Sequence, residues 1–234
     1  MTYINEYLDK EERKTTMANT EQLTDKTEIY QRRALGILGM LLPILDIGFG
    51  FFWCKYVMKL DIDSKLFESI SSTHYSYSYL LFEGIVFAVA MFLICYRGYD
   101  IKDFWITTIT GILGVFLCLF PTATGGFTGY NFIGLPPEIT QWVHYVTSIL
   151  FFVGLAVMEI WQFTKTSDKE PTKRKKIRNI IYKTCGITML ASIFIAGALG
   201  FLFKIPFVLY IGEGLGLEAF GIAWLVKGNT LFKD

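Results

Sequence analysis

Histidine is scarce, with two in 234 residues, and the four cysteines form no C-x-x-C pair. His74 and His144 belong to no H-x-x-x-H or H-E-x-x-H motif, so zinc-ligand spacing is missing and neither a metal nor another cofactor is expected. The two histidines with Glu83 or Glu213 would make a His₂–carboxylate set, but no spacing demands it. Cys54, Cys95, Cys118 and Cys185 all fall inside apolar stretches, where cysteine serves as a small packing residue. No G-x-S-x-G is present, and Ser71 or Ser72 beside His74 in sequence does not make a triad. Dyad alternation is also missing: ILGMLLPILDIGFGFFW at 37–53 does not alternate, which excludes a transmembrane β-barrel. Residues 1–33 contain no apolar core of a signal peptide. Net charge is only +1, which says nothing about partners until its distribution is considered.

Long apolar runs are what the chain does have. Hydrophobic residues make up 53% of it and mean hydropathy is +0.42. Six stretches, at 34–58, 77–96, 103–122, 139–163, 178–203 and 206–228, each reach the ~20 residues that cross ~30 Å of hydrocarbon. The expected fold is all-α: a polytopic integral membrane bundle of six transmembrane helices. Residues 1–33 form a polar tail, 34–228 the transmembrane domain and 229–234 a short C-terminal tail. A capping-type pattern, Thr24-x-x-Thr27-Glu28, is placed to open a short helix before the first span. An even number of spans puts both ends on one side. Arg32, Arg33, Arg97, Lys102, Lys165, Lys183, Lys227 and Lys233 flank the ends and the even-numbered loops, whereas the odd loops and their borders carry Lys55, Lys59, Lys65 and Lys204. The positive-inside rule then makes the termini cytoplasmic, and the protein is expected in a bacterial cell membrane.

The loop 164–179 holds the densest charge run, with Lys173, Arg174, Lys175 and Lys176. It reads as a topology determinant touching anionic lipid head groups, worth about 1 kcal/mol per cation near the surface, and not as a nucleic-acid site. Residues 59–76 and 121–138 face the other side. They are long for a compact bundle and read either as a lid over an outward cavity or as surface loops. Glycines recur in the last spans, including Gly212, Gly214, Gly216 and Gly221. Such faces let helices approach closely, within one chain or in a homo-oligomer, and they would also let the last span break locally.

Ionisable groups stand at membrane depth: Asp46, Glu83, His144, Glu213 and Glu218. All lie at the midplane or in the outer half, where the only cation inside a span is Lys55. Carboxylates there must face protein or water, so they are expected to point inward. With Ser71 and His74 they form a candidate ligand pocket open to the outside. Ser71, His74, Glu83, His144 and Glu213 sit near the mouth, with Asp46 and Glu218 deeper. Neutral carboxyls bridging helices are the alternative.

Short ordered motifs carry a resemblance. Arg33-Ala34-Leu35-Gly36, Ser69-Ile70-Ser71, Tyr75, Phe120-Pro121-Thr122, His144 and Glu218 through Gly228 (EAFGIAWLVKG) resemble a group of bacterial six-span proteins grouped as a domain of unknown function, over residues ~30–228. The Ile-Ser before span two, the Phe-Pro-Thr ending span three and the His opening span four are more distantly similar to the eukaryotic family of damage-regulated autophagy modulators and a GPI-anchor remodelling factor. That resemblance implies lipid-related membrane work. The ceramidase–adiponectin-receptor hydrolases differ, having seven spans and zinc on three histidines. The leading expectation is therefore a membrane protein that binds a lipid or small polar ligand. The alternatives are a lipid-modifying enzyme using His144, Glu83 and 69–74, and a small transporter. Against transport, Asp46 has no counterpart at the matching place in span four.

Overall fold

The structure, a computed structural model, describes residues 26–230 apart from 97, 99, 125–130, 132 and 167–169. Most of the N-terminal tail, Arg97, the centre of the third loop and residues 231–234 therefore lie outside the described residues. Every regular element described is helical: α1 (Lys26–Val57), α2 (Tyr79–Cys95), α3 (Ile101–Leu119), α4 (Pro137–Gln162), α5 (Lys173–Phe203) and α6 (Val208–Lys227). Two short 3₁₀ turns, Ser64–Phe67 and Ser71–Tyr75, fill the connection between α1 and α2. Five of the helices are long and apolar enough to cross a membrane. The sixth, α2, has 17 residues.

Local chemistry sets several boundaries away from the apolar runs. Arg32 and Arg33 are on α1 itself, which is already helical at Lys26. Helix α5 begins at Lys173, so the run Lys173–Lys176 is its first turn and not a loop. Thr172 caps it by accepting from the Lys175 N–H at 3.1 Å, and Lys and Arg are good helix formers that need no burial. Helix α3 opens on Asp100, whose carboxylate accepts from the N–H groups of Lys102 and Asp103 at 2.9 and 3.0 Å. It stops at Leu119 because Phe120 precedes Pro121 and leaves the helical region, with φ −126° and ψ 82°.

Neighbouring helices run antiparallel, and glycines mark where they touch. A Cβ added at Gly36 would lie 2.8 Å from the Gly221 carbonyl, and one added at Gly221 would lie 2.7 Å from the Gly36 carbonyl, so α1 and α6 cross backbone to backbone. At Gly111 it would meet the Ala90 carbonyl of α2 at 2.6 Å. Gly212 abuts Ala196 and Ser192 of α5, and Gly216 faces Met189 and Ile193. The glycine-rich face of α6 thus serves packing within the chain, and α6 continues unbroken through it. Arg33 on α1 donates to the Gly228 carbonyl after α6 at 2.8 Å, which places both described ends of the chain at one end of the bundle. The connections α1–α2, α3–α4 and α5–α6 lie at the other, here termed the loop end. Two helical stretches, Asp46–Val57 in α1 and Met158–Gln162 in α4, wind with the wider π pattern.

Candidate functional site

The α1–α2 connection does not hang free but folds into the loop end. Phe67, Ile70, Ser72 and Thr73 are buried, and Phe67 meets Phe51 edge to face at 5.4 Å. Polar groups fix the segment to three helices. Thr73 Oγ1 donates to Asp46 Oδ2 of α1 at 3.0 Å. The Ile70 N–H donates to Glu213 Oε2 of α6 at 2.6 Å. His74 Nδ1 meets Glu83 Oε1 of α2 at 2.6 Å, and the Tyr210 N–H donates to the Glu68 carbonyl at 3.1 Å. Tyr75 donates its hydroxyl hydrogen to the Thr122 carbonyl at 2.7 Å, beyond the end of α3.

Beneath this segment a cavity of about 650 Å³ runs between α4 and α5 and against α6, within the range of small-molecule sites. Its polar end is lined by Glu68, Ser69, Ser71, Ser72, His144 and Glu213. Its other walls are apolar, among them Phe152, Leu190, Ile193, Phe194 and Phe201. Gly197 sits in the α5 wall with no heavy atom within 4 Å of where a Cβ would be, so the cleft keeps its width there. His144 is buried, and its Nδ1–H donates to the Phe120 carbonyl at 2.8 Å. That bond selects the tautomer in which Nε2 carries the lone pair.

Of the candidate pocket residues, Ser71, His144 and Glu213 line this cavity. His74 and Glu83 bond each other instead and are not in its wall. Asp46 is fully buried against Thr73. Glu218, five residues after Glu213, is turned about 140° around the helix axis at ~100° per residue and lies half-buried outside the cavity. Helix rotation, which lengthwise counting does not give, separates these groups. Two further residues were not foreseen from the sequence: Glu68, whose place in the wall depends on the folded connection, and Thr73, which carries the bond to Asp46.

A second set of polar groups, at the terminal end, was not foreseen either. Asp103 is buried and accepts from Lys165 Nζ, which also donates to Asp100 at 2.8 Å. Glu159 is fully buried in the π stretch of α4, and neither of its oxygens has a partner among the described residues. Glu159 satisfies the intramembrane-carboxylate criterion and was legible on that ground. The Asp103–Lys165 pair, 62 residues apart, was not. Lys175 is occupied as well: it donates to the Phe163 carbonyl at 2.7 Å and lies 5.7 Å from the centre of the Tyr182 ring. Lys175 of the basic run therefore has structural partners. Its pairing to lipid head groups belongs to the functional proposal, together with Lys173, Arg174 and Lys176.

Outside the spans, the Lys165 ammonium beside Asp100 holds that carboxyl below its ordinary value. Partial burial opposes the charge on Lys165, but its hydrogen bonds to Asp100 and Asp103 outweigh this and raise its pKa. Among the described residues no three His, Cys, Asp or Glu come together as a metal-binding group, and the four cysteines are free thiols. Among the described residues no hydroxyl is hydrogen-bonded to a ring nitrogen of His144, whose ring bond goes to a backbone carbonyl. The geometry suits reception of a ligand with a polar end and an apolar body. No family model, no curated protein and no solved structure matches the chain.

Proposed function

We propose that the protein is a six-span membrane protein that receives one amphiphilic molecule in the cleft between α4 and α5. The polar group of the ligand sits under the α1–α2 segment and its chain lies along α5. The observation that carries this reading is the cavity itself, about 650 Å³ in all, in which a polar cap of Ser71, His144 and Glu213 is continuous with an apolar channel. The outer surfaces of the flanking helices are apolar as well, with Val146, Leu150, Ile187 and Ile195 exposed away from the cavity wall. In a bilayer such a cleft admits a lipid sideways from the acyl region without carrying it through water. Helix α2 rises about 26 Å at 1.5 Å per residue, slightly less than the ~30 Å of hydrocarbon, and the buried turns before it complete the crossing. The cation-bearing terminal end faces the cytoplasm in this reading, where Lys173, Arg174 and Lys176 meet anionic head groups.

Kinship with the six-span proteins named above is part of the proposal. Three of the shared motifs meet at the cavity: Ser69-Ile70-Ser71 in its cap, Thr122 in its wall and His144 bonded to Phe120.

Two experiments test the reading. Gly197→Trp fills the cleft from a side where the backbone has room, and lipid co-purifying with the chain, measured by mass spectrometry of extracts, is expected to fall about tenfold. Such a loss corresponds to roughly 1.4 kcal/mol of binding. Unchanged lipid content in the folded variant would place the ligand elsewhere. For orientation, Asp63→Cys in a cysteine-free parent should react with a membrane-impermeant reagent added to intact cells, and Glu170→Cys should not. The reverse pattern inverts the protein in the membrane.

A further inference from the structure

The polar end of the cavity differs from a general lipid site in the kind of hydrogen-bonding group it offers. Two carboxylates, Glu68 and Glu213, line it, while no Lys, Arg, Asn or Gln does among the described residues. Three of its hydroxyls already direct their hydrogens at the backbone. Ser72 donates to the Ser69 carbonyl at 2.7 Å, Ser148 to the His144 carbonyl at 2.8 Å and Thr124 to the Lys65 carbonyl at 3.3 Å. What these oxygens present to a ligand is lone pairs. His144 adds another, because its Nδ1–H is committed to Phe120 and Nε2 is left as an acceptor. The side-chain donors that remain in the wall are Ser69, Ser71, Thr122 and two aromatic residues, Trp142 and Tyr145. Trp142 is 70% exposed, and a face of this kind attracts a cation passing it.

An acceptor-rich cap with two carboxyl groups disfavours a phosphate or carboxylate, which would bring acceptors against acceptors. It suits a group with several N–H donors and a positive charge, whose charge-assisted bonds are roughly twice as strong as neutral ones. Resting on the amphiphile reading above, we infer that the ligand is a single-chain amphiphile with a cationic amine head group, its ammonium held by Glu213 and Glu68 and its tail in the α4–α5 cleft. Glu213 is already oriented for this. The Ile70 N–H holds Oε2 at 2.6 Å, so the carboxylate meets the ligand without a rotamer search.

The test uses the full chain purified in a neutral detergent. Oleylamine, oleyl alcohol and oleate are offered separately at equal concentration, and one-to-one adducts are counted by native mass spectrometry. The amine is expected to be retained about tenfold or more over oleate, the scale of one charge-assisted hydrogen bond, with the alcohol between them. Glu213→Gln together with Glu68→Gln should bring the amine down to the level of the alcohol. The amide oxygen that Glu213→Gln introduces can still accept from the Ile70 N–H, and Glu68→Gln alone, at an exposed position, should give part of the drop if the double variant does not fold. Oleate bound as well as the amine, or an amine preference that survives both substitutions, would overturn the head-group assignment and leave the cleft reading intact. Retention of none of the three overturns the cleft reading itself.

Discussion

At the terminal end of the bundle, buried Asp103 meets the ammonium of Lys165, Arg33 closes on the Gly228 carbonyl, and Lys175 caps the Phe163 carbonyl. At the loop end, buried Asp46 meets the hydroxyl of Thr73, and Glu213 meets the backbone N–H of Ile70. Both ends bury acids among apolar helices, where an unpartnered charge is expensive. One end pairs Asp103 with a cation carried on a short loop and leaves Glu159 without a partner among the described residues. The other uses neutral donors from a folded connection and keeps an open cavity beside them. The difference follows from where Lys and Arg lie along the chain. It also implies different tolerances: losing one partner of an ion pair leaves a charge short of its counter-ion, whereas losing a hydroxyl partner forfeits one hydrogen bond.

Removing a cation at the terminal end should therefore have the largest effect on stability. Lys165→Ala takes the ammonium away from Asp103, a loss expected to cost about 2 kcal/mol, the scale of a hydrogen bond between charged groups, read as the unfolding midpoint of the purified protein in detergent. Adding Asp103→Asn should recover part of it, since the buried charge that the ammonium offsets is then removed as well. If the single and double variants are equally unstable, the pair does not define this end.

The corresponding change at the loop end is smaller. Thr73→Val removes the hydroxyl that donates to Asp46 and should cost about 1 kcal/mol, with Thr73→Ser close to the parent. A loss as large as that of Lys165→Ala would mean that the two ends do not differ in the way argued.

The smallest effect is on pH dependence at the terminal end. Asp100 has a depressed folded-state pKa, so its contribution is present above the ordinary carboxylate value of 3.8 and fades as pH falls through the lower folded value. Lys165, with a raised pKa, contributes fully below its ordinary 10.5 and loses that contribution as pH rises through the folded value above it. Asp100→Asn keeps an oxygen to cap α3 and removes the charge. Its unfolding midpoint should be slightly lower than the parent's at neutral pH, with the gap closing in acid below about pH 4. A gap that stays constant with pH would assign Asp100 to capping alone.

The amino-acid sequence by itself determined the all-α class and the helices apolar enough to cross a membrane. Apolar runs of the lengths seen here can only be helices if they are to satisfy their backbone in hydrocarbon, and the helices form within a few residues of those runs. Their limits moved where local chemistry intervened, as at Thr172 and Pro121, and α1 begins well before its run, at Lys26. The sequence also placed the polar groups lengthwise, because rise per residue is fixed. Tertiary structure alone decided which of them meet. Rotation about each axis depends on contacts such as Gly36 against Gly221 and Gly111 against Ala90, and it set Glu213 toward the cavity and Glu218 away from it. The serine- and threonine-rich connection showed no periodicity from which to foresee its path. Its fold follows from hydrogen bonds to Asp46, Glu213 and Thr122, on segments up to 143 residues distant, and those bonds build the polar end of the cavity.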